Sequence, residues 1–313
     1  MVEIQGNKLL QLHTDTVEFV RKSINLEKEE DRRHAIEILK KWVESQPHFL
    51  KKDFPDPYLE SCIITSKGSI ENAKKRLDKM CTVKTLMPEF FQELNPKKDL
   101  NVMFEVINVA ICPKLTKEHH RLFVAKALKT PTNAQHISVV YRFCILISEY
   151  VRRYDYVDGF RVVYDLTEVD LVKFVSNINV VELRQAFSIY MDGYGMKVKG
   201  IHMITQSKAI DLLVQIFKQI LKPKLASRIH IHKSSDELFD IIGKDVLPVD
   251  FGGYEKSIKE LQDDWVNVLS SKDVMDYMRE MRGAKTNENL RQNNRFNEEY
   301  AGMPGTFRVL SVD

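Results

Sequence analysis

Between Phe160 and Gly253 the sequence alternates short apolar runs with helix-length segments, and this alternation restricts the fold more than any other feature. Phe160-Arg-Val-Val-Tyr-Asp165 and Val198 to Ile204 read as strands, as does Arg228 to His232. A long helix is expected between the first two, and a second helix, Ala209 to Leu221, between the next two. Strands joined by crossover helices must run parallel, because a tight turn reverses direction, so a largely parallel sheet with helices on its faces follows. The run closes with Val246-Leu-Pro-Val-Asp-Phe-Gly-Gly253.

Upstream, residues 15–95 read as helical and charged. Ala35, Ile36, Leu39, Trp42 and Val43 fall at helical spacing before Pro47, and a later helix is expected near Ile70 to Met80. From Pro96 onward the pattern is α/β, with a helix around Val102 to Ala110, a strand at Arg121 to Leu128 and a buried helix at Ile137 to Val151. This divides the chain into a helical unit at 1–95, an α/β unit at 96–275 and a C-terminal tail at 276–313. The tail beyond Arg282 is polar and amide-rich and is expected to be mobile, although Met303 to Leu310 carries apolar residues able to dock.

Composition removes several classes of function. A net charge of +3 over 313 residues gives no electrostatic case for nucleic acid. No window reaches the roughly 18 uninterrupted apolar residues of a membrane span, and the first thirty residues lack the apolar centre of a signal peptide. Cys62, Cys81, Cys112 and Cys144 show no Cys-x-x-Cys spacing and read as reduced, pointing to the cytoplasm.

Catalytic and metal readings fare no better. Gly193-Tyr-Gly195 lacks the third glycine of a dinucleotide loop and leads into a strand. His230 and His232 share a strand face but have no third ligand in reach, and His119-His120 reads as a turn. Asp165 ends a strand and Asp170 caps the following helix. With no nucleophile elbow, phosphate loop or His-Glu-x-x-His, neither an enzyme nor a cofactor nor a metal is expected.

The helix Ala209 to Leu221 carries the positive signal. Ala209, Leu212, Leu213, Ile216, Phe217 and Ile220 form an apolar stripe opposite Lys208, Asp211, Gln215, Lys218 and Gln219. Lys197 and Lys199 precede it and Lys222, Lys224 and Arg228 follow it, an arrangement suited to an anionic membrane surface.

These motifs taken in order resemble the CRAL-TRIO lipid-binding family, in the branch of the tocopherol-transfer and retinaldehyde-binding proteins. The resemblance rests on Phe160 to Asp165, Lys197-Val-Lys-Gly-Ile-His-Met-Ile204, Arg228-Ile-His230 and Leu247-Pro before Gly252-Gly253, and it covers about residues 30–275. Ala301-Gly-Met-Pro-Gly-Thr-Phe-Arg308 is similar to the tail of arthropod-type members. The resemblance implies an all-helical N-terminal domain before a cage made of a mostly parallel sheet, flanking helices and a mobile lid helix, Ala209 to Leu221. Its pocket positions fall on Tyr141, Cys144, Ile145, Ser148, Phe160, Val162, Tyr164, Ile189, Tyr190, Tyr194, Met196, Val198 and Ile201. Four tyrosines among them imply a hydrophobic small molecule with a polar end, of tocopherol, retinoid or other isoprenoid type.

Phosphoinositide head groups would meet Lys197, Lys199, Lys222, Lys224 and Arg228. Leu59-Glu-Ser-Cys-Ile-Ile64 stands where relatives carry cations, so the N-terminal side of that basic cleft is expected to be missing. The function expected on this basis is a monomeric cytoplasmic carrier that associates transiently with membranes and transfers its ligand there. The competing readings are a lipid-regulated adaptor, a phospholipid-binding protein without transfer activity, and an enzyme acting on a lipid.

Overall fold

Five strands form one sheet in the order β1-β2-β3-β4-β5 in a computed structural model that describes residues 8–291. They span Ile107–Leu115 (β1), His120–Ala127 (β2), Gly159–Asp165 (β3), Val198–Ile204 (β4) and Ile229–His232 (β5). The pairs from β2 to β5 are parallel and the β1–β2 hairpin is antiparallel, so the sheet is mixed. His119 turns the hairpin in a left-handed conformation with φ of 58°.

The hairpin corrects one expectation. Where a helix was expected at Val102 to Ala110, only a single turn forms at Asn101–Phe104 before β1 begins. Ile107 to Cys112 is apolar except for Asn108 and buried almost throughout, and so short a run has no clear period that separates strand from helix. Its partners decide the matter. Ala110 and Ile111 pair with Val124 and Phe123, and the helix Ile258–Leu269 seals β1 from outside. From that helix Gln262 Oε1 accepts the Val109 amide at 2.8 Å and Trp265 Nε1 donates to the Ile111 carbonyl at 2.9 Å.

Helix α1 (Thr16–Ser23), α2 (Glu29–Ser45), α3 (Asp56–Thr65) and α4 (Ile70–Leu86) make up the N-terminal unit. Ala35, Leu39 and Val43 of α2 meet Leu59 and Ile63 of α3 and Leu77 of α4 in one core. The long helix α5, Ala134–Tyr154, begins where Asn133 accepts the His136 amide. Between β3 and β4 two helices replace the single long one expected: α6 (Leu171–Ser176) and α7 (Val180–Ser188), followed by a π turn at Ile189–Gly193. Each has its own cap, Asp170 accepting from the Lys173 amide and Asn179 from the Val181 and Glu182 amides, and that second cap breaks the run.

Helix α8 is Ile210–Ile220, and α9 (Ile258–Leu269) and α10 (Lys272–Arg282) are the last α-helices among the described residues. The Leu247–Gly253 segment has a steric reason for its final glycines. Gly252 has φ of +77°, and a Cβ on Gly253 would lie 1.9 Å from the Leu247 carbonyl oxygen.

The C-terminal segment corrects a second expectation, since residues 283–291 are tied down. Tyr277, Met281 and Ala284 enter the α2–α4 core, Thr286 bridges Phe49, and Arg291 grips Asp78 at 2.7 and 2.8 Å. Polar composition misleads here because the polar groups are spent on protein partners. The apolar segment Met303 to Leu310 lies outside the described residues.

Candidate ligand cavity

Alternation along the strands aims one set of side chains inward. Phe123, Ala125 and Ala127 of β2, Val162 and Tyr164 of β3, and Val198, Ile201 and Met203 of β4 line a cavity of about 200 Å³. Helix α5 lines it with Ile137, Val140, Tyr141, Cys144, Ile147 and Ser148, the spacing of one helical face. The volume far exceeds the roughly 10–15 Å³ on this measure that one water requires. Among the described residues, no Lys, Arg, Asp or Glu lines it.

Of the pocket positions taken from the family resemblance, Tyr141, Cys144, Ser148, Phe160, Val162, Tyr164, Tyr190, Met196, Val198 and Ile201 face this cavity. Ile145, Ile189 and Tyr194 do not. They pack with Met80, Val83 and Phe90 where the N-terminal unit meets the cage, and the Tyr194 hydroxyl donates to Glu149 at 2.7 Å. Sequence reasoning missed His136 and Val140 of α5, Phe174 of α6, and Leu183 and Phe187 of α7. The apolar spacing of Leu183, Ala186 and Phe187 was the available signal, hidden while α6 and α7 were read as one helix.

Helix α8 covers the cavity. Leu213 and Phe217 project into it, and Phe217 meets Phe187 edge to face with centroids 5.6 Å apart. Ala209, Ile216 and Ile220 pack more loosely on the same cluster, whereas Leu212 points outward and is 42% exposed. Val172 on α6 and Val180 and Val181 on α7 are exposed as well, at 59%, 37% and 42%. The covering helices thus show apolar side chains to the outside.

The few polar groups in the cavity divide into two kinds. The Tyr190 hydroxyl donates to the Tyr141 carbonyl at 2.9 Å and Ser148 Oγ donates to the Cys144 carbonyl at 2.7 Å, so both are met internally. His136 Nδ1 is buried without a partner, and burial first, then nearby groups, acts on the Tyr141 and Tyr164 hydroxyls. Burial pushes both phenols up and pushes the Cys144 thiol to about 12, which removes Cys144 as a ready nucleophile.

The basic residues beside the lid are partly occupied. Asp158 lies 3.7 Å from Lys197 and also pairs with Lys199. Burial opposes ionisation of Asp158, but hydrogen bonds from His120 and Lys199 and the two lysine charges hold its pKa far below the usual value. Lys222 pairs with Asp192 at 3.0 Å, and Arg228 donates to the Val198 carbonyl. Lys224 stands exposed with no ion pair among the described residues.

Cations of the N-terminal unit lie near Lys197, and Arg76 among them donates to the Met191 carbonyl at 2.9 Å. Burial, together with the charges of Lys199, Lys67 and Arg76, lowers the Lys197 pKa against the pull of Asp158. Lys67 follows α3 and Arg76 lies on α4, so the helical unit supplies cations that a comparison at Leu59 to Ile64 misses.

Other candidate sites have structural duties. Asp165 Oδ1 accepts the Thr167 amide and hydroxyl, and Asp170 is a helix cap. His202 Nδ1 meets His232 Nε2 at 3.0 Å and His232 Nδ1 meets Glu237, yet no group of three metal-ligating side chains occurs among the described residues. Arg76 Nη1 would sit 2.2 Å from a Cβ on Gly195, so Gly193-Tyr-Gly195 serves packing. No helix among the described residues is long and apolar enough to cross a membrane.

Comparison with known proteins agrees with this architecture. Residues 107–253 match the family model described as CRAL/TRIO domain, from the first residue of β1 to the closing Gly253, and residues 28–100 match Pinta-like, UBA domain. "Alpha-tocopherol transfer protein-like" from Mus musculus is 22% identical over 232 residues, covering 72% of this chain and 66% of that protein. The Homo sapiens protein of the same name is also 22% identical, with 72% of this chain and 67% of that protein covered. The chain thus spans about two thirds of the length of these relatives. A solved structure, "Crystal structure of Sfh5", aligns with a TM-score of 0.45 and 10% identity over 80% of this chain and 99% of that chain, a likeness too loose to bear on function. Residues 107–253 of the chain are a CRAL/TRIO domain.

Proposed function

We propose that this protein is a carrier that holds a hydrophobic small molecule in the cavity beneath α8 and transfers it at anionic membranes. The CRAL-TRIO family binds and transfers lipophilic ligands. The observation that carries the reading is a cavity of about 200 Å³ with no charged lining residue among the described residues, covered by a helix whose Leu213 and Phe217 face inward. Removal of apolar surface from water contributes about 25 cal/mol per Å², so such a site retains a cargo that water rejects.

Release has a physical route. Opening α8 in water exposes Leu213 and Phe217, whereas opening it against lipid gives them an apolar partner. Leu212, Val172 and Val181 already project outward for a first contact. Lys224 after α8, and Lys67 and Arg76 near Lys197, add positive charge and favour anionic head groups, phosphoinositides among them. The carrier acts as a monomer in the cytoplasm between membrane visits.

The test is transfer of a fluorescent retinoid between two vesicle populations, one of them containing phosphatidylinositol bisphosphate. Transfer should be accelerated by the protein, should fall as ionic strength rises and shortens the screening length from about 10 to 3 Å, and should fall again in a Lys67→Ala, Lys224→Ala variant. Tight retinoid binding with no acceleration of transfer would favour a reservoir or adaptor and refute the carrier.

A further inference from the structure

We infer that the sheet face turned away from the cavity holds a second site, a notch over Gly200 where Arg161 and His202 bind a small dissolved oxyanion together with one proton. The inference is independent of the carrier reading. Val162, Tyr164, Ile201 and Met203 line the cavity, so alternation along β3 and β4 sends Arg161 and His202 to the opposite face. Arg161 pairs across the sheet with Gly200, which has no side chain to occupy the space above it. A Cβ there would lie 2.6 Å from His202 Nε2 and 3.4 Å from Arg161 Nη1, so both nitrogens flank one notch. His202 is 2% exposed with Nε2 buried and unpartnered, and Arg161 Nε is buried without a partner as well. Each such group costs about 1–3 kcal/mol, and one oxyanion can meet a guanidinium and an imidazole N–H together.

The hydrogen-bond chain behind His202 decides what its Nε2 offers. Glu237 Oε2 lies 3.1 Å from His232 Nδ1, and His232 Nε2 lies 3.0 Å from His202 Nδ1. An ionised carboxylate only accepts, so His232 Nδ1 carries a proton. With both rings neutral, His232 Nε2 accepts from His202 Nδ1, and His202 Nε2 is left a bare acceptor that repels an anion. One proton taken from water reverses this wherever it settles. On His232 it makes Nε2 a donor and moves the His202 proton from Nδ1 to Nε2; on His202 it protonates Nε2 directly. Either way an N–H then points into the notch.

The surroundings set the direction of the coupling. Burial first, then His232, His230 and Arg161, lowers the His202 pKa to about 3. An oxyanion beside Arg161 offsets that cation and favours the protonated chain. The other titratable groups near the notch are Glu118 and His120 of the β1–β2 hairpin, Lys199 paired with Asp158, and His230, whose ring stacks on His202 at 5.2 Å. Anion binding therefore takes up a proton, and affinity falls as pH rises through the histidine range. The source of the anion is solution, because the sheet separates the notch from the cavity that α8 covers.

The experiment is calorimetric titration of the full chain with sulfate, which keeps its charge across this range, at pH 5.5, 6.5 and 7.5 in paired buffers of different ionisation enthalpy. About one proton should be taken up per sulfate, and affinity should fall by up to about tenfold per pH unit. Arg161→Gln and Gly200→Ala should each weaken sulfate at least about tenfold, and Arg161→Gln keeps the test valid should Gly200→Ala fold poorly. Glu237→Gln, a change at a half-exposed side chain, should keep the site but move proton uptake to lower pH. Binding to phosphatidylinositol bisphosphate vesicles should be unchanged in Arg161→Gln. No heat of binding at about 20 mM sulfate, binding without proton uptake, or binding indifferent to Arg161→Gln would overturn the inference. Loss of vesicle binding in Arg161→Gln would assign the notch to a lipid phosphate and overturn the dissolved occupant.

Discussion

Phe217→Ala tests whether α8 is the gate. Opening the helix in water exposes Ile210, Leu213, Phe217 and Leu221, whose exposures in the closed state are 6%, 3%, 7% and 6%. At about 1.5–3 kcal/mol for each buried side chain, closure is favoured by about 6–12 kcal/mol before the entropy of ordering the helix is counted. Phe217 contributes its share and an edge-to-face contact with Phe187, a pair of the kind that adds about 0.5–1.5 kcal/mol. Removing it lowers the opening cost by about 2–4 kcal/mol, which speeds release about 30- to 1,000-fold at 1.36 kcal/mol per decade. Release of bound retinol into excess cyclodextrin, followed by stopped-flow fluorescence without membranes, measures this directly. Leu212→Ala is the control, because Leu212 already faces solvent; it should leave release in water unchanged and slow transfer to vesicles. A Phe217→Ala protein that stays folded and releases retinol within twofold of the wild-type rate would refute the gate.

Three further outcomes follow from buried contacts away from the cavity. Lys84 Nζ meets Glu149 at 3.3 Å, both side chains being almost fully buried, so Lys84→Met leaves the carboxylate its Tyr194 and Tyr277 hydroxyl donors but no counter-charge and should cost about 3–5 kcal/mol in urea denaturation; a loss below 1 kcal/mol would count against the pair. Burial first, then His232 and His230, lowers the His202 pKa to about 3 from 6.5. Because the folded pKa is depressed, the stability is whole above pH 6.5 and is lost as pH falls towards 3, at up to about 1.4 kcal/mol per unit. Denaturation of His202→Asn across that window should show a shallower slope by up to one proton, and an unchanged slope would contradict the assignment. Arg291→Ala removes the bidentate contact to Asp78 and should cost about 1.5–3 kcal/mol, with faster hydrogen exchange at the Thr286 and Asn287 amides, which donate to Thr85 and the His48 carbonyl. Unchanged exchange there would show that the clasp does not depend on Arg291.

The cage was legible wherever a segment's own pattern decided its structure. Phe160 to Asp165 and Val198 to Ile204 are short apolar runs bounded by turns and helices, and both are strands; Ala209 to Leu221 carries its stripe at helical steps, and all but its terminal residues are helix. Patterns settled by distant partners were not legible. Ile107 to Leu115 is a strand because β2 and α9 supply its pairing and cover, and Gly283 to Arg291 is ordered because Phe49, Thr85 and Asp78 receive it. The cation cluster divided in the same way. Lys197 and Lys199 were visible beside the lid, but their neutralisation by Asp158 and their reinforcement by Lys67 and Arg76 depend on how the helical unit docks.

Native mass spectrometry of the purified protein, with extraction and identification of whatever it carries, bears most directly on the central claim. A cavity with no charged lining residue among the described residues should retain one equivalent of a neutral lipid, displaced by retinol and lost from a Phe217→Ala variant. Recovery of diacyl phospholipid alone, or an empty protein that retinol does not enter, would contradict it.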